Sequence, residues 1–242
     1  MDTSTYVALS GQLSLERRMA TLAQNIANAN TSGYRAEVLD FKAVSSATGP
    51  SITKFALPGG SHIDRSVGGL TMTKNPLDIA VKGDGFFGYQ DANGNVTYSR
   101  DGRLTLASDG RLINGNGDAL VDAQGSAVAL DPNHPDIAIG PDGSIMQAGV
   151  KKAQVALYDV DFSGGFQRAQ GAAFTPTKPA AVLTDFNTNG VIQGYVEDSN
   201  VNAATAMTSL IQITRAFEAI SSLSEKASDV QKSAIETLGS AR

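Results

Sequence analysis

The sequence predicts an α+β protein in which two terminal helices pair as a coiled coil and the central domain is built of mainly antiparallel β-strands. Two observations predict this class: each end of the chain has an apolar stripe at helical spacing, and the middle has Gly-containing turns between short runs of β-branched residues. With 242 residues, of which 41% are apolar and 6% aromatic, the chain is long enough to bury a core that relies on Ala, Val, Leu and Ile.

The N-terminal helix is predicted over residues 4–29 and the C-terminal helix over residues 203–238, because apolar side chains recur there in steps of three and four. Each stripe would cost free energy if it stayed in water, and the simplest arrangement pairs the two helices. The predicted seam consists of Leu15, Met19, Leu22, Ile26, Met207, Leu210, Ile213, Phe217 and Ile220. Two helices bury only this one seam, so we expect copies of the same protein or its relatives to cover the remaining faces.

The region between the helices is predicted to be a β domain, because sequences such as "DANG", "SDG", "NGNG" and "PDG" favour tight turns. The clearest strand, "PLDIAVKGDGFFGYQ" at residues 76–90, alternates Leu77, Ile79 and Val81 with Asp78, Ala80 and Lys82, which predicts one apolar and one solvated face. Further strands are predicted as an antiparallel meander over residues 96–122 and at residues 151–160 and 191–197, whereas residues 45–68 and 161–180 receive no assignment. The predicted domains are therefore residues 1–35 and 200–242 together, and residues 36–199.

Charge and composition exclude several classes of protein. The formal balance of 19 basic and 24 acidic residues, a net charge of −5, argues against nucleic acid as a partner. No apolar run approaches the roughly 20 residues of a membrane span, and the N-terminus lacks the pattern of a cleavable secretory signal. The absence of cysteine from the sequence excludes disulfides, thiolate metal sites and cysteine nucleophiles.

The best candidate metal site is "DFNTNG", where Asp185, Asn187 and Asn189 occupy the first ligand positions of an EF-hand loop. The twelfth position, which needs a bidentate acid, is Val196, so a polar turn between strands is the favoured interpretation and calcium the minor alternative. "GDGFF" lacks the third glycine of a dinucleotide loop and favours a bulge or a close backbone approach. No catalytic cluster and no cofactor site is predicted.

Two clusters of small polar residues lie at the inner ends of the predicted helices. Asn25, Asn28, Asn30 and Thr31 come at the end of the first helix, followed by Gly33, which is suited to a left-handed cap, and by Tyr34. Ser199, Asn200, Val201 and Asn202 come at the start of the last helix, where backbone N–H groups need acceptors. If the helices are antiparallel, the two clusters meet and form a joint with the β domain. Two independent helix caps explain the residue types equally well.

Five segments together resemble the rod and hook proteins of the bacterial flagellum. They are "NIANANTSGYR", "LDIAVKGDGFF", "YSRDGRLTLASDGRLI", "GYVEDSNVN" and "MTSLIQITRAFEA", in this order and spacing. The length of the chain resembles that of a proximal-rod subunit, with a distal-rod or hook-type subunit as the alternative. Phe217 and Arg35 stand where many relatives carry Tyr and Lys, and residues 131–180 match the family poorly.

The resemblance implies a structural subunit of the basal-body rod that assembles helically into the axial drive shaft and transmits torque. It implies other rod subunits and copies of the chain as partners, and the flagellar type III apparatus as the export route, without a cleavable signal peptide, to the periplasm-spanning rod. It implies no enzyme activity, cofactor, nucleic acid or membrane insertion. A secreted carbohydrate-binding β module is the remaining alternative, although such sites usually expose aromatic side chains and the chain has no Trp.

Overall fold

The computed structural model describes residues 3–46, 53–186 and 188–239. The chain divides into two compact units. The helical unit comprises residues 3–27, 37–46, 53–61 and 202–239, and the β unit comprises residues 28–36, 62–186 and 188–201.

Two long helices form most of the helical unit. Helix α1 spans Thr3–Ala27 and helix α2 spans Ala203–Gly239, within two residues of the predicted bounds. The helices are in contact and flank the antiparallel β-sheets in sequence, which confirms the predicted α+β class. Neither described helix is long and apolar enough to cross a membrane.

Side-chain contacts between the helices fix their relative direction. The Nε2 atom of Gln12 donates to Oγ of Ser221 at 3.0 Å, and Oγ1 of Thr214 lies 3.7 Å from Sδ of Met19. Going along α1 from Gln12 to Met19, the contacted residue of α2 moves back from Ser221 to Thr214. The two helices are therefore antiparallel.

Eight of the nine predicted seam residues are buried or half-buried, and Met207 is the exception with 51% of its surface exposed. Ala206, 9% exposed, takes the seam position in that turn of α2. The buried positions 206, 210, 213, 217 and 220 then follow steps of four and three, the spacing of one helix face. Met207 lies one residue away from this spacing, about 100° around the helix, and therefore faces outward.

The helical unit also contains β1 (Glu37–Ser46) and all but the last two residues of β2 (Thr53–Ile63), which pair as a two-stranded sheet. These strands occupy much of the range 45–68, for which the sequence predicted no element. Residues 47–52 lie outside the described part of the chain.

The β unit contains shorter strands, and every strand pair with a described register is antiparallel. They are β3 (Leu70–Met72), β4 (Ile79–Lys82), β5 (Phe87–Gln90), β6 (Val96–Ser99), β7 (Thr105–Leu106), β8 (Leu112–Ile113), β9 (Ala119–Leu120), β10 (Ile137–Ile139), β11 (Ser144–Gln147), β12 (Val150–Gln154), β13 (Tyr158–Asp159), β14 (Phe166–Arg168), β15 (Phe174–Pro176), β16 (Ala181–Val182), β17 (Gly190–Gln193) and β18 (Tyr195–Glu197). The largest sheet has the order β14-β15-β6-β5-β9-β8-β7, beside a three-stranded sheet β10-β11-β12 and the pairs β17-β4, β18-β3 and β13-β16.

The single strand predicted over residues 76–90 is in fact two strands, β4 and β5. Its predicted solvated face at residues 77–82 is largely buried, which corrects the simple alternation. Ala80 is fully buried and Asp78 is 7% exposed. The carbonyl oxygen of Asp78 accepts from the Gly194 amide at 2.7 Å, and its carboxylate accepts from Nδ2 of Asn75 at 2.9 Å. Asp78 is therefore buried with partners for its polar atoms, as buried polar groups require.

The predicted meander over residues 96–122 is correct for β7, β8 and β9, which pair in sequence order. It is wrong for β6, which pairs with β5 and β15. After β6 the chain leaves the sheet, because Gly102 passes so close to the Ile79 backbone that a Cβ atom would collide there. The carbonyl oxygen of Gly102 accepts a hydrogen bond from the Ile79 amide at 2.9 Å.

The two remaining predicted strands are each divided in two. Residues 151–160 contain most of β12 and all of β13, while residues 191–197 contain most of β17 and all of β18, separated by Gly194 with a φ of 80°. Residues 161–180, which had no assignment, form a short 3-10 helix (Phe162–Gly164) followed by the β14–β15 hairpin.

Candidate functional site

Two segments of the β unit adjoin the helices in sequence and lie side by side. We call residues 28–36 the incoming segment and residues 197–201 the outgoing segment. The Gly33 amide donates to the carbonyl oxygen of Glu197 at 2.7 Å, and the Asn200 amide donates to that of Tyr34 at 3.3 Å. The Ala36 amide donates to Oδ1 of Asn200 at 2.7 Å. The two segments are therefore joined by hydrogen bonds at three points.

The Asn200 side chain also binds a third segment of the β unit. Its Nδ2 atom donates to the carbonyl oxygens of Asp64 and Ser66 at 3.2 and 3.0 Å and lies 3.1 Å from Oγ of Ser66. Asp64 in turn donates its amide to the carbonyl oxygen of Ala36 at 2.8 Å. An asparagine suits this position because its amide offers both a donor and an acceptor.

Gly33 lets the incoming segment approach the chain that follows β6. It has a φ of 68°, and a Cβ atom there would collide with the backbone at Arg100 and Asp101. The sequence predicted Gly33 as the cap of the first helix, but α1 ends at Ala27, six residues earlier. The left-handed conformation thus serves this close approach.

A buried ionic cluster lies where the two segments meet. The Glu197 side chain is fully buried, with Nη2 of Arg35 at 2.6 Å from Oε1 and Nη1 of Arg100 at 3.2 Å from Oε2. The Gly68 amide also donates to Oε1 at 3.1 Å, and Nη2 of Arg100 donates to the carbonyl oxygen of Gly83 at 2.7 Å. The exposed fractions of the Arg35 and Arg100 side chains are only 2% and 3%.

The charges of this cluster balance only when both the incoming and the outgoing segments are in place. Burial lowers the pKa of Arg35, against the opposing effect of the Glu197 carboxylate. Burial also lowers the pKa of Arg100, to about 10, so the Arg100 guanidinium remains charged near neutral pH. Two buried cations thus share one buried anion, and removing the anion leaves both without a close counter-charge.

The other predicted residues of the incoming cluster have local partners. Within the helical unit, Asn25 is 6% exposed, donates to the carbonyl oxygen of Glu37 at 2.9 Å and accepts from its amide at 3.0 Å. Within the β unit, Oγ1 of Thr31 donates to Oδ1 of Asn28 at 3.2 Å, and Asn30 is exposed.

In the outgoing cluster, Asn202 caps α2, because its Oδ1 accepts from the Thr205 amide at 3.0 Å. Oγ of Ser199 accepts from the Val201 amide at 3.2 Å. In the outgoing cluster, Asn202 thus caps a helix, whereas Asn200 binds other segments of the chain.

The candidate metal turn has protein partners for its described side chains. Oγ1 of Thr188 donates to the Asp185 carboxylate at 3.0 Å, and Oδ1 of Asn189 accepts from the Asp84 amide at 2.8 Å. Asn187 lies outside the described residues. Among the residues that the structure does describe, no group of three His, Cys, Asp or Glu side chains is arranged to hold a metal ion.

The sequence analysis missed Glu197 and Arg100 as members of the site. Arg100 precedes the Asp-Gly pair of a predicted turn, and Glu197 ends a predicted strand, positions at which charged residues are usually exposed. Neither has a nearby partner in sequence, so only the fold brings the two charges together.

Three sequence families match separate parts of the chain. They are described as flagella basal body rod protein at residues 6–35, flagellar hook protein FlgE/F/G D1 domain at residues 80–147, and flagellar basal body rod FlgEFG protein C-terminal at residues 192–237. Together with the paired helices and the antiparallel β unit, these matches define the class of flagellar rod and hook proteins.

Full-length relatives identify the family within this class. The chain is 42% identical to the flagellar basal-body rod protein FlgF of Rhizobium meliloti over 100% of both chains, and 38% identical to that of Mesorhizobium japonicum over 99% of both. It is 30% identical to the Escherichia coli protein of the same name over 90% of this chain and 91% of the relative. The chain belongs to the flagellar basal-body rod protein FlgF family. It is a structural subunit of the rod and not an enzyme.

Replacing Glu197 with Gln should destabilise the β unit by about 3–5 kcal/mol, because two buried guanidinium groups lose their shared counter-charge. Denaturant unfolding followed by a probe in the β unit measures the change. Asp109→Asn is the matched control, since Asp109 pairs with Arg111 at 2.6 Å on the surface, where an ion pair contributes little. Equal, small effects of the two substitutions would contradict a structural role for the buried cluster.

Proposed function

We propose that this rod subunit assembles helically with other rod subunits and with copies of itself through the outward apolar faces of its terminal helices. The observation that carries the proposal is that α1 has apolar side chains on two opposite faces. The same association would build the axial drive shaft that transmits motor torque, with the helices lining its inner tube.

The two faces of α1 differ sharply in burial. Leu15, Met19 and Leu22 are half-buried on the side of the seam, whereas Leu9 and Leu13 are 49% and 51% exposed. Leu13 and Leu22 are about 180° apart around the helix, since each residue adds about 100°. A helix that is apolar on both sides is stable in water only when both are covered, which supports a second packing partner.

Helix α2 offers further apolar surface of the same kind. Met207, Ile211, Leu223 and Val230 are 51%, 55%, 67% and 70% exposed. Helix α2 has 37 residues against 25 in α1, so its C-terminal turns extend past the start of α1. These turns have no counterpart in α1 and add to the surface that a neighbouring subunit would cover.

Replacing Leu9 and Leu13 together with Ser should weaken self-association at least tenfold, because each buried leucine contributes roughly 1.5–3 kcal/mol. Sedimentation measures the association, and hydrogen exchange at several concentrations follows the amides of both helices. Exchange should slow on association in the unchanged chain while the β unit stays protected throughout. Arg18→Ser, at a polar exposed position of α1, is the control. Helix protection that is the same at every dilution would argue against assembly through these faces.

We further propose that the chain is a proximal-rod subunit that travels through the flagellar type III export apparatus. Membership of the FlgF family and the length of the chain support this position. Gold labelling of an epitope-tagged chain in isolated basal bodies should mark the lower rod. Cells with an inactive export apparatus should show no label outside the cytoplasm, and label there would refute this route.

We also propose that the incoming and outgoing segments form a stiff joint. The incoming segment follows α1 and the outgoing segment precedes α2, so both are covalent links through which load passes to the helices, and a shaft under torque needs both links held together. The three hydrogen bonds between the segments and the contacts of Asn200 with Asp64 and Ser66 support this role.

Asn200→Ala should speed hydrogen exchange of the Ala36 amide more than tenfold and reduce assembly, since the substitution removes the acceptor of that amide. Asn93→Ala is the control, because Asn93 is exposed in the turn between β5 and β6 and its described hydrogen bond runs from its backbone amide to Asp91. Normal assembly of the Asn200 variant, despite faster exchange, would mean that the joint does not matter for the rod.

A further inference from the structure

The β14–β15 hairpin is anchored firmly in the core of the β unit. Strand β15 joins the large sheet where Phe174 pairs with Tyr98 of β6. The Phe174 ring lies 5.0 Å from the Phe86 ring and 5.1 Å from the Phe162 ring, measured between centroids. Aromatic contacts of this kind hold a hairpin in a single position. The hairpin can therefore serve as a fixed support for another segment.

Arg168, the last residue of β14, extends from this support to the incoming segment. Its guanidinium carbon lies 4.5 Å from the centroid of the Tyr34 ring. Its Nη2 atom donates to the carbonyl oxygen of Arg35 at 2.5 Å. Tyr34 is fully buried, and a cation over a desolvated aromatic ring is held more strongly than one at the surface.

These two contacts restrain neighbouring parts of the incoming segment. One acts on the Tyr34 side chain and the other on the backbone of the next residue. That next residue, Arg35, carries the guanidinium that binds Glu197. Arg168 therefore holds the main chain from which one partner of the buried ionic cluster projects.

The hairpin lies outside the three regions matched by the sequence families, although the full-length FlgF relatives align with it. Those regions cover residues 6–35, 80–147 and 192–237, whereas the hairpin spans residues 166–176. Tyr34 and Arg35, in contrast, belong to the first matched region. A hairpin outside the three matched regions thus contacts a segment inside one of them.

We propose that the β14–β15 hairpin is a clamp on the incoming segment and that Arg168 is its positioning residue. The clamp fixes the main chain at Tyr34 and Arg35, and the outgoing segment contributes its own hydrogen bonds and the Glu197 carboxylate. Its importance for the rod rests on the stiff joint proposed above. The simpler role of the hairpin, filling the core with phenylalanine side chains, requires no arginine facing Tyr34.

Hydrogen exchange on the full chain tests the clamp with Arg168→Met, which keeps an aliphatic stem but removes the charge and the donor. The amides of Gly33, Tyr34 and Ala36 report on the incoming segment, and those of Leu112 and Val191 report on the rest of the β unit. We expect exchange at the first three to rise about tenfold, with Leu112 and Val191 unchanged. Arg168→Lys should restore part of the protection, because lysine keeps a charge and a donor but loses the planar stack.

Arg111→Met, which removes an exposed arginine paired on the surface with Asp109, is the matched control. It should change none of these rates except the intrinsic rate of the Leu112 amide, which follows the substituted residue directly. Unchanged exchange at Tyr34 and Ala36 in the Arg168→Met variant would overturn the clamp. Equal acceleration at all five reporter amides would overturn it too, since that pattern indicates general loosening of the core.

Assembly measured on the same variants separates the clamp from the joint. Faster exchange at the incoming segment with normal assembly supports the clamp and refutes the role of the joint in the rod. Loss of assembly in Asn200→Ala with unchanged exchange in Arg168→Met supports the joint and overturns the clamp.

Discussion

The buried carboxylate of Glu197 is the constraint on which the order of the β unit depends. It is the shared counter-charge of Arg35 and Arg100, and all three side chains are almost completely removed from water. Such a cluster adds little net stability compared with apolar packing, but a missing member is costly. Because Arg35 lies in the incoming segment and Glu197 in the outgoing segment, the cost applies whenever the two separate. The cluster therefore makes the arrangement of the two segments all-or-none rather than gradual.

The hydrogen bonds around the cluster give the same arrangement its directional precision. Asn200 binds backbone groups at Ala36, Asp64 and Ser66 through one side-chain amide. Gly33 permits a close backbone approach that no other residue allows at its φ of 68°. The ionic cluster thus holds the incoming and outgoing segments together, and these short-range contacts determine the register in which they pair.

In the helical unit, unlike the β unit, a single chain leaves apolar surface exposed to solvent. The seam between α1 and α2 uses one face of each helix, while Leu9 and Leu13 on α1 remain about half exposed. A monomeric protein has little reason to retain such a stripe, whereas a rod subunit in contact with neighbours has one. The β unit, in contrast, contains its own core of fully buried side chains such as Phe87, Leu112 and Leu157.

The sequence by itself determined the helices, the antiparallel β class and the family, because periodicity, turn residues and motif order are local properties of the chain. Even the error at Met207 is local, since Ala206 has the correct spacing but a smaller apolar side chain. Only the tertiary structure decided which charges share a site. Arg100 and Glu197 are separated by 97 residues, and Arg168 and Arg35 by 133, so no local pattern relates them. Their partners are set by how the strands pack, a long-range property that the spacing of residues along the chain does not encode.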